Sequence, residues 1–187
     1  MSDDVPAWAD DLGAFLSRGW DALERAADDP SAPMHRAVLA TTGLGGGAEA
    51  RTLVLRHARR SDATLGVQVD RASTKVAEIG ANPLATLLFW DEDAQMQIRA
   101  RIRAEIDTDT AAIWTDLSDR ARTNYGGTPP TGAPIPAASA YDKVPDPDRL
   151  ARIMGHVQSF DFVYLGPEHR RALFSRDNGF AGTWLAP

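Results

Sequence analysis

The sequence predicts a mainly β fold with helices (α+β), an antiparallel barrel carrying helical additions. Three observations predict it. Met96, Ile98, Ala100, Ile102, Ala104 and Ile106 alternate with Gln97, Arg99, Arg101, Arg103 and Glu105, so one long strand buries one face and wets the other. Further short runs of strand character recur along the chain, separated by Gly/Pro/Asn turns. Helical spacing is confined to short stretches between them. A parallel sheet covered on both faces would instead give continuous apolar strands.

Taken in order, Trp8, Leu12, Phe15, Leu16, Trp20 and Leu23 recur at helical spacing after acidic residues, which predicts an amphipathic packing helix within an N-terminal extension, residues 1–30. Residues 35–42 read as a strand. The glycine-rich run 43–47 turns the chain into a second strand, 51–57, giving a hairpin. A third strand covers 65–69. Ser73 then opens a short helix carrying Val76 and Ile79, which Asn82-Pro83 should stop. The apolar run 84–90 leads into the alternating strand. Ile113, Trp114 and Leu117 return to helical spacing, and a Gly/Pro-rich stretch, 126–145, reads as a long loop centred on 126–136. A helix near 148–156 and strands at 160–165, 172–176 and 183–185 complete the expectation. No internal repeat or composition break marks a boundary, so one domain over 1–187 is expected.

At 187 residues, 43% hydrophobic and 25% charged, the chain has the composition of an ordinary globular protein. No apolar run nears the roughly 20 residues of a membrane helix, and the start Met1-Ser2-Asp3-Asp4 lacks a signal-peptide pattern, so no membrane partner and a cytoplasmic location are expected. The absence of cysteine removes disulfides, thiolate metal sites and cysteine nucleophiles. His35, His57, His156 and His169 show no metal-ligand spacing, so no metal is expected. A formal net charge of −6 opposes bulk attraction to nucleic acid while leaving room for a local basic pocket, so a small-molecule partner is expected.

The candidate chemistry lies in Arg51-Thr52-Leu53-Val54-Leu55-Arg56, followed by Val69-Asp70-Arg71-Ala72-Ser73-Thr74-Lys75. A helix N-terminus with Ser73, Thr74 and Lys75 in its first turn offers N–H groups, hydroxyls and a cation, which suits a phosphate. Lys75 is one of only two lysines, the other being Lys143. Taken singly, Ser73 reads equally well as a helix cap and Lys75 as a solvated side chain.

The ordered set resembles the pyridoxamine 5′-phosphate oxidase family of FMN-binding split barrels, particularly its oxidase-related bacterial branch. That family runs Arg-x-Val-Leu-Leu-Lys, a Thr-Asp/Asn segment into Ser-x-Lys, Asn-Pro, an apolar strand ending in Trp, then a Gln-containing strand. Here the counterparts are Arg51 to Arg56, Val69-Asp70, Ser73 to Lys75, Asn82-Pro83, Leu87-Leu88-Phe89-Trp90 and Gln97-Ile98-Arg99. Ser175-Arg176-Asp177 and Leu185-Ala186-Pro187 are similar to the family's C-terminal ending. The resemblance spans roughly residues 35–187.

It implies an antiparallel split β-barrel of the FMN-binding type, a homodimer, and FMN held non-covalently between two chains. By position, Arg51 and Lys75 would neutralise the phosphate, helped by Ser73 and Thr74. Thr52, Leu53, Val54 and Arg56, with Val69 and Asp70, would run past the ribityl chain and ring. Gln97 would offer its amide to the flavin, and Arg171 takes the place of a family arginine near the ring. Arg56 and His169 are the expected substrate contacts.

Two departures bear on activity. Arg56 stands where the oxidase has lysine, and a guanidinium forks its donors where an ammonium does not. Val163 and Pro167 stand where the oxidase carries a tryptophan and the arginine paired with its histidine, so oxidation of pyridoxamine 5′-phosphate is not assigned. A flavin can supply the redox chemistry without a side-chain acid or base, and no catalytic residue is singled out. The expected function is an FMN-dependent oxidoreductase of unknown small substrate; the alternative is a non-catalytic protein that stores or binds FMN or pyridoxal phosphate.

Overall fold

Strand alternation and short turns build a closed barrel. The computed structural model describes residues 5–187, so the acidic start Met1–Asp4 lies outside the described residues. The strands are β1 (Arg36–Thr42), β2 (Ala48–Arg59), β3 (Thr64–Asp70), β4 (Leu84–Asp91), β5 (Met96–Asp107), a two-residue pair β6 (Gly127–Thr128) and β7 (Asp142–Lys143), β8 (Leu150–Tyr164), β9 (Arg170–Ser175) and β10 (Gly182–Leu185). The helices are α1 (Leu12–Asp28), α2 (Thr74–Ala81), α3 (Ala111–Asp116) and α4 (Asp119–Arg122). The large sheet runs β10-β9-β8-β3-β2-β1-β4-β5, and a β5–β8 pairing closes β8, β3, β2, β1, β4 and β5 into an antiparallel barrel.

Alternation along β5 is realised as predicted: Met96, Ile98, Ala100, Ile102 and Ala104 are buried, and Arg99, Arg101 and Arg103 are exposed. Helix α1 starts at Asp11, whose carboxylate accepts from the Ala14 N–H at 2.7 Å. Its apolar stripe seats Phe15 on Phe162 and Trp20 on Phe160, edge to face with centroids 5.5 and 5.1 Å apart. Gly19 permits this approach, because a Cβ there would lie 2.2 Å from the Phe162 ring. Trp8 falls in a separate 3-10 turn, Ala7–Ala9, rather than in the helix.

A larger expectation also fails. Residues 148–156 do not form a helix; a single 3-10 turn, Pro147–Arg149, leads directly into the long strand β8. Leu150, Ile153, Met154 and Val157 fit helical spacing, but Ala151, Ile153, Gly155 and Val157 also fit strand spacing, and those four are buried. Pairing with both β3 and β5 decides between the two. Gly155 is a contact requirement: a Cβ would lie 2.6 Å from Ile102 Cδ1. A bulge lets Arg101 pair with Ser159 and Ile102 with Val157, so the same strand continues to Tyr164 and carries β9.

Between β5 and β8, residues 117–146 form a strap. Its stem is α4, its tip is pinned by the β6–β7 pairing, and a cis Thr128–Pro129 bond lies between.

Candidate functional site

On β2 the side chains divide by face. Leu55 is buried inside the barrel, while Thr52 and Arg56 are exposed outside and Val54 is partly covered. Beside them β3 presents Gln68 and Asp70, and α2 begins directly after β3's turn. Across this wall the strap lays Asn124, Tyr125 and Thr131. The result is a cavity of about 340 Å³ lined by Thr52, Leu53, Val54, Arg56, Val69 and Asp70 together with Gln68, Ser73, Lys75 and those three strap residues. Its volume falls in the range of small-molecule sites, about 300–1,000 Å³.

The electrostatics of this cavity are set by what is already paired. Asp70, 7% exposed, accepts from Ala72 N–H at 2.8 Å, from Gly126 N–H at 3.0 Å and from Arg149 Nε and Nη2 at 2.9 and 2.8 Å. Its carboxylate therefore clasps the β3–α2 turn, the strap and the start of β8. Ser73 donates its hydroxyl to the Asp70 carbonyl at 2.6 Å, so that proton is committed within the turn. Arg51 donates to Glu78 at 2.8 Å and to Thr41, and Glu78 is 2% exposed. The guanidinium thereby ties α2 to the barrel and lies outside the cavity lining.

Lys75 and Arg56 line the cavity and meet no carboxylate within ion-pair distance among the described residues. Burial, then the nearby Arg51 charge, pushes the Lys75 ammonium below the ordinary lysine range, with Asp70 and Glu78 opposing. An anion beside it would relieve that penalty. Thr74 is exposed, and the strap's Gly132 sits so that a Cβ would lie 3.4 Å from its hydroxyl. Tyr125 donates to Gln68 Oε1 at 3.3 Å, and burial raises its phenol while the Arg56 charge opposes, so it stays a neutral donor.

The remaining predicted residues lie elsewhere. Gln97 is on the outer face of β5, beside Trp90 and Val163 in register. Arg171 donates to Asp161 at 3.1 and 2.8 Å, and Arg99 pairs with the same carboxylate. Burial raises the Asp161 carboxyl, but the two guanidiniums outweigh it and hold the group low. His169 and Arg171 line a separate cavity of about 280 Å³ with Asp10, Arg170, Trp184 and Leu185. Another cavity, of about 290 Å³ between α1 and the β4–β5 turn, contains none of the predicted residues. Sequence reasoning missed Gln68, Asn124, Tyr125 and Thr131: the first is hidden in a strand buried on both faces, and the strap carries no periodicity.

A closed antiparallel barrel with a cationic cavity at the start of a helix has the architecture of an FMN-binding split barrel. Residues 17–108 match the family model described as pyridoxamine 5′-phosphate oxidase, FMN-binding domain. That matched segment carries this family's FMN-binding domain, with FMN as its cofactor. A pyridoxamine 5′-phosphate oxidase-related, FMN-binding protein from Nostoc punctiforme is similar over 98% of this chain and 100% of its own, with 22% identity and a TM-score of 0.75. PhzG from Burkholderia lata, solved with tetrahydrophenazine-1-carboxylic acid, is similar over 99% and 98%, with 17% identity and a TM-score of 0.72. A protein related to general stress protein 26 from Clostridium acetobutylicum is similar over 90% and 98%, with 14% identity and a TM-score of 0.60. These likenesses establish the fold. A search of curated proteins finds no match.

Proposed function

We propose that the chain is an FMN-dependent oxidoreductase of a small molecule that works as a cytoplasmic homodimer. The observation that carries this reading is the unpaired Lys75 ammonium in a cavity of about 340 Å³ at the N-terminus of α2. A helix leaves its first-turn N–H groups without intrahelical acceptors, and with Lys75 and the Thr74 hydroxyl they make a donor set suited to a phosphate. Thr52, Leu53, Val54 and Val69 would flank the rest of the cofactor, with Tyr125 and Asn124 shielding it from water. Arg51 acts at one remove by holding α2 through Glu78. Bound FMN supplies the electron transfer; the chain orients it. Arg56 would meet the substrate from this cavity, whereas His169, which lines a separate cavity with Arg171, would have to reach it from a second copy.

The homodimer is supported by the ring of strands. β2 and β5 are separated by two strands in either direction around the barrel, so their outer faces point opposite ways. A second copy is the simplest source of Gln97 and Arg171 for a cavity built on β2. Leu84 and Trp90 stand 50% and 40% exposed on β4, next to the partly covered Val38 and Leu88, an apolar face of the kind interfaces bury. Among the described residues no helix is long and apolar enough to cross a membrane.

The test is an absorption spectrum of the purified protein, mass spectrometry of any released ligand, and reduction of the bound flavin by nicotinamide or a substrate panel. A yellow protein releasing FMN that is then reduced supports the proposal. FMN held tightly without reduction by any donor would favour the storage reading, which gains from a cavity lining that holds no histidine and no unpaired carboxylate. A colourless protein that does not take up FMN would sink both.

A further inference from the structure

The oxidoreductase reading leaves part of the strap unused. Asn124 and Thr131, which wall the flavin cavity, also wall a second cavity of about 270 Å³ completed by Pro129, Pro130, Ile135, Tyr141 and Lys143. A further opening of about 460 Å³ shares Asn124 and Lys143 with it and adds Arg120. The three spaces therefore adjoin along one strip of strap.

The side chains around the second cavity are of two kinds. Pro129, Pro130, Ile135 and the Tyr141 ring offer flat or apolar surface, and Ile135 and Tyr141 are 38% and 46% exposed. Lys143 lies with its ammonium 5.9 Å from the Tyr141 ring centroid, and β6–β7 pairing with Gly127 fixes its backbone. Neither Lys143 nor Arg120 has a carboxylate partner among the described residues, although Arg122, two residues beyond Arg120, pairs with Asp119. The strap's side-chain hydrogen bonds are made by Ser118, Asp119, Arg122, Thr123, Tyr125 and Asp146, leaving Asn124, Thr131 and Lys143 with none among the described residues. Two unpaired cations and free amide and hydroxyl groups beside an aromatic and proline wall suit a flat ring bearing a phosphate: the wall stacks the ring and the cations take the anion.

We propose that this strap cavity binds a nucleoside monophosphate group, with its phosphate on Lys143 and Arg120 and its base against Tyr141 and Pro130. This deepens the flavin reading, since the shared wall sets the group beside the bound cofactor. Two molecules could carry it there: a nicotinamide dinucleotide donating electrons, or a flavin dinucleotide longer than FMN.

The experiment is calorimetric titration of adenosine 5′-monophosphate into the whole protein, with and without added FMN. Adenosine and inorganic phosphate serve as half-ligands. The monophosphate should bind at least about tenfold more tightly than either half, and Lys143→Ala should remove about tenfold of its affinity, the loss expected for a hydrogen bond to a charged group. FMN affinity should be unchanged in that variant, because Lys143 is absent from the flavin cavity lining. Displacement by NADPH with flavin reduction identifies the donor as the source; displacement of both FMN and the monophosphate by FAD identifies the longer flavin. Binding no tighter than that of the halves, or affinity indifferent to Lys143→Ala, overturns the proposal, as does a monophosphate that neither dinucleotide displaces. Failure of FMN itself to bind would sink the flavin reading separately, because the monophosphate titration is also run without it.

Discussion

Two carboxylates, Asp70 and Asp161, each hold arginine on the barrel wall, yet they organise their surroundings differently. Asp70 shares its oxygens between one arginine and two backbone N–H groups from different segments. Asp161 spends its oxygens on two arginine side chains, Arg99 and Arg171. The first arrangement fixes main chain, and so shapes a cavity whose own cations, Lys75 and Arg56, meet no carboxylate among the described residues. The second fixes side chains on an open face and leaves one surplus positive charge there. Where a carboxylate bonds to backbone it builds a wall, and where it bonds to side chains it orients them.

The largest expected effect tests that difference directly. Asp70→Ala would strand the Arg149 guanidinium and the buried Gly126 N–H, and is expected to cost about 3–5 kcal/mol of stability, as loss of one partner of a buried pair does. Urea denaturation would measure it, and limited proteolysis should find residues 117–146 newly cleavable. A loss no larger than that in Asp161→Ala would erase the distinction.

Next in size is the effect on cofactor. Lys75→Ala is expected to weaken FMN binding by about 1–3 kcal/mol, with little change in unfolding, because its ammonium pairs with no carboxylate among the described residues. Arg51→Ala should show the opposite balance, since it leaves Glu78 buried without its cation. Flavin fluorescence titration alongside denaturation separates the two; equal affinity losses at unchanged stability would place Arg51 on the phosphate after all. Smaller still, Asp161→Ala should cost about 1 kcal/mol, because Arg99 and Arg171, with side chains 47% and 32% exposed, can turn to water. Asp161 is held below its ordinary range, so its contribution is present above the unfolded carboxyl value of about 3.9 and lost as pH falls through the folded one. The variant's acid limb should accordingly be flatter below about pH 4.

These residues also show what the sequence made legible. β5 was readable because its two faces meet different solvents, so polarity alternates from Gln97 to Glu105. The first half of β8 was not: Leu150, Ile153 and Met154 satisfy both periods, and only pairing with β3 and β5 decides. Much of the cavity could be named in advance because Thr52 to Arg56 and Val69 to Lys75 are contiguous runs joined by the β2–β3 pairing. The strap could not, since Tyr125 and Asn124 reach the site through a clasp on Asp70, a contact 56 residues distant in the chain that no local pattern encodes. The tie of Arg51 to Glu78 was equally invisible, because a strand arginine carries the same letter whether it meets a ligand or a buried glutamate.

The finest distinction concerns the protonation of Lys75. Burial and Arg51 lower its pKa, so in the ligand-free fold the charged form is penalised; the penalty is complete below the folded pKa and is relieved as pH rises through it toward the unfolded value of about 10.4. A phosphate reverses the preference, because it attracts the ammonium. FMN affinity should therefore decline with rising pH, beginning below the ordinary lysine range. Lys75→Arg keeps a cation at every pH used, so its affinity should lack that decline even where the wild-type protein's falls. Deprotonation of the flavin itself acts on both proteins alike and drops out of the difference. Parallel pH profiles for the two would mean that the charge answering the phosphate resides elsewhere on the cavity wall, with Arg56 the nearest candidate.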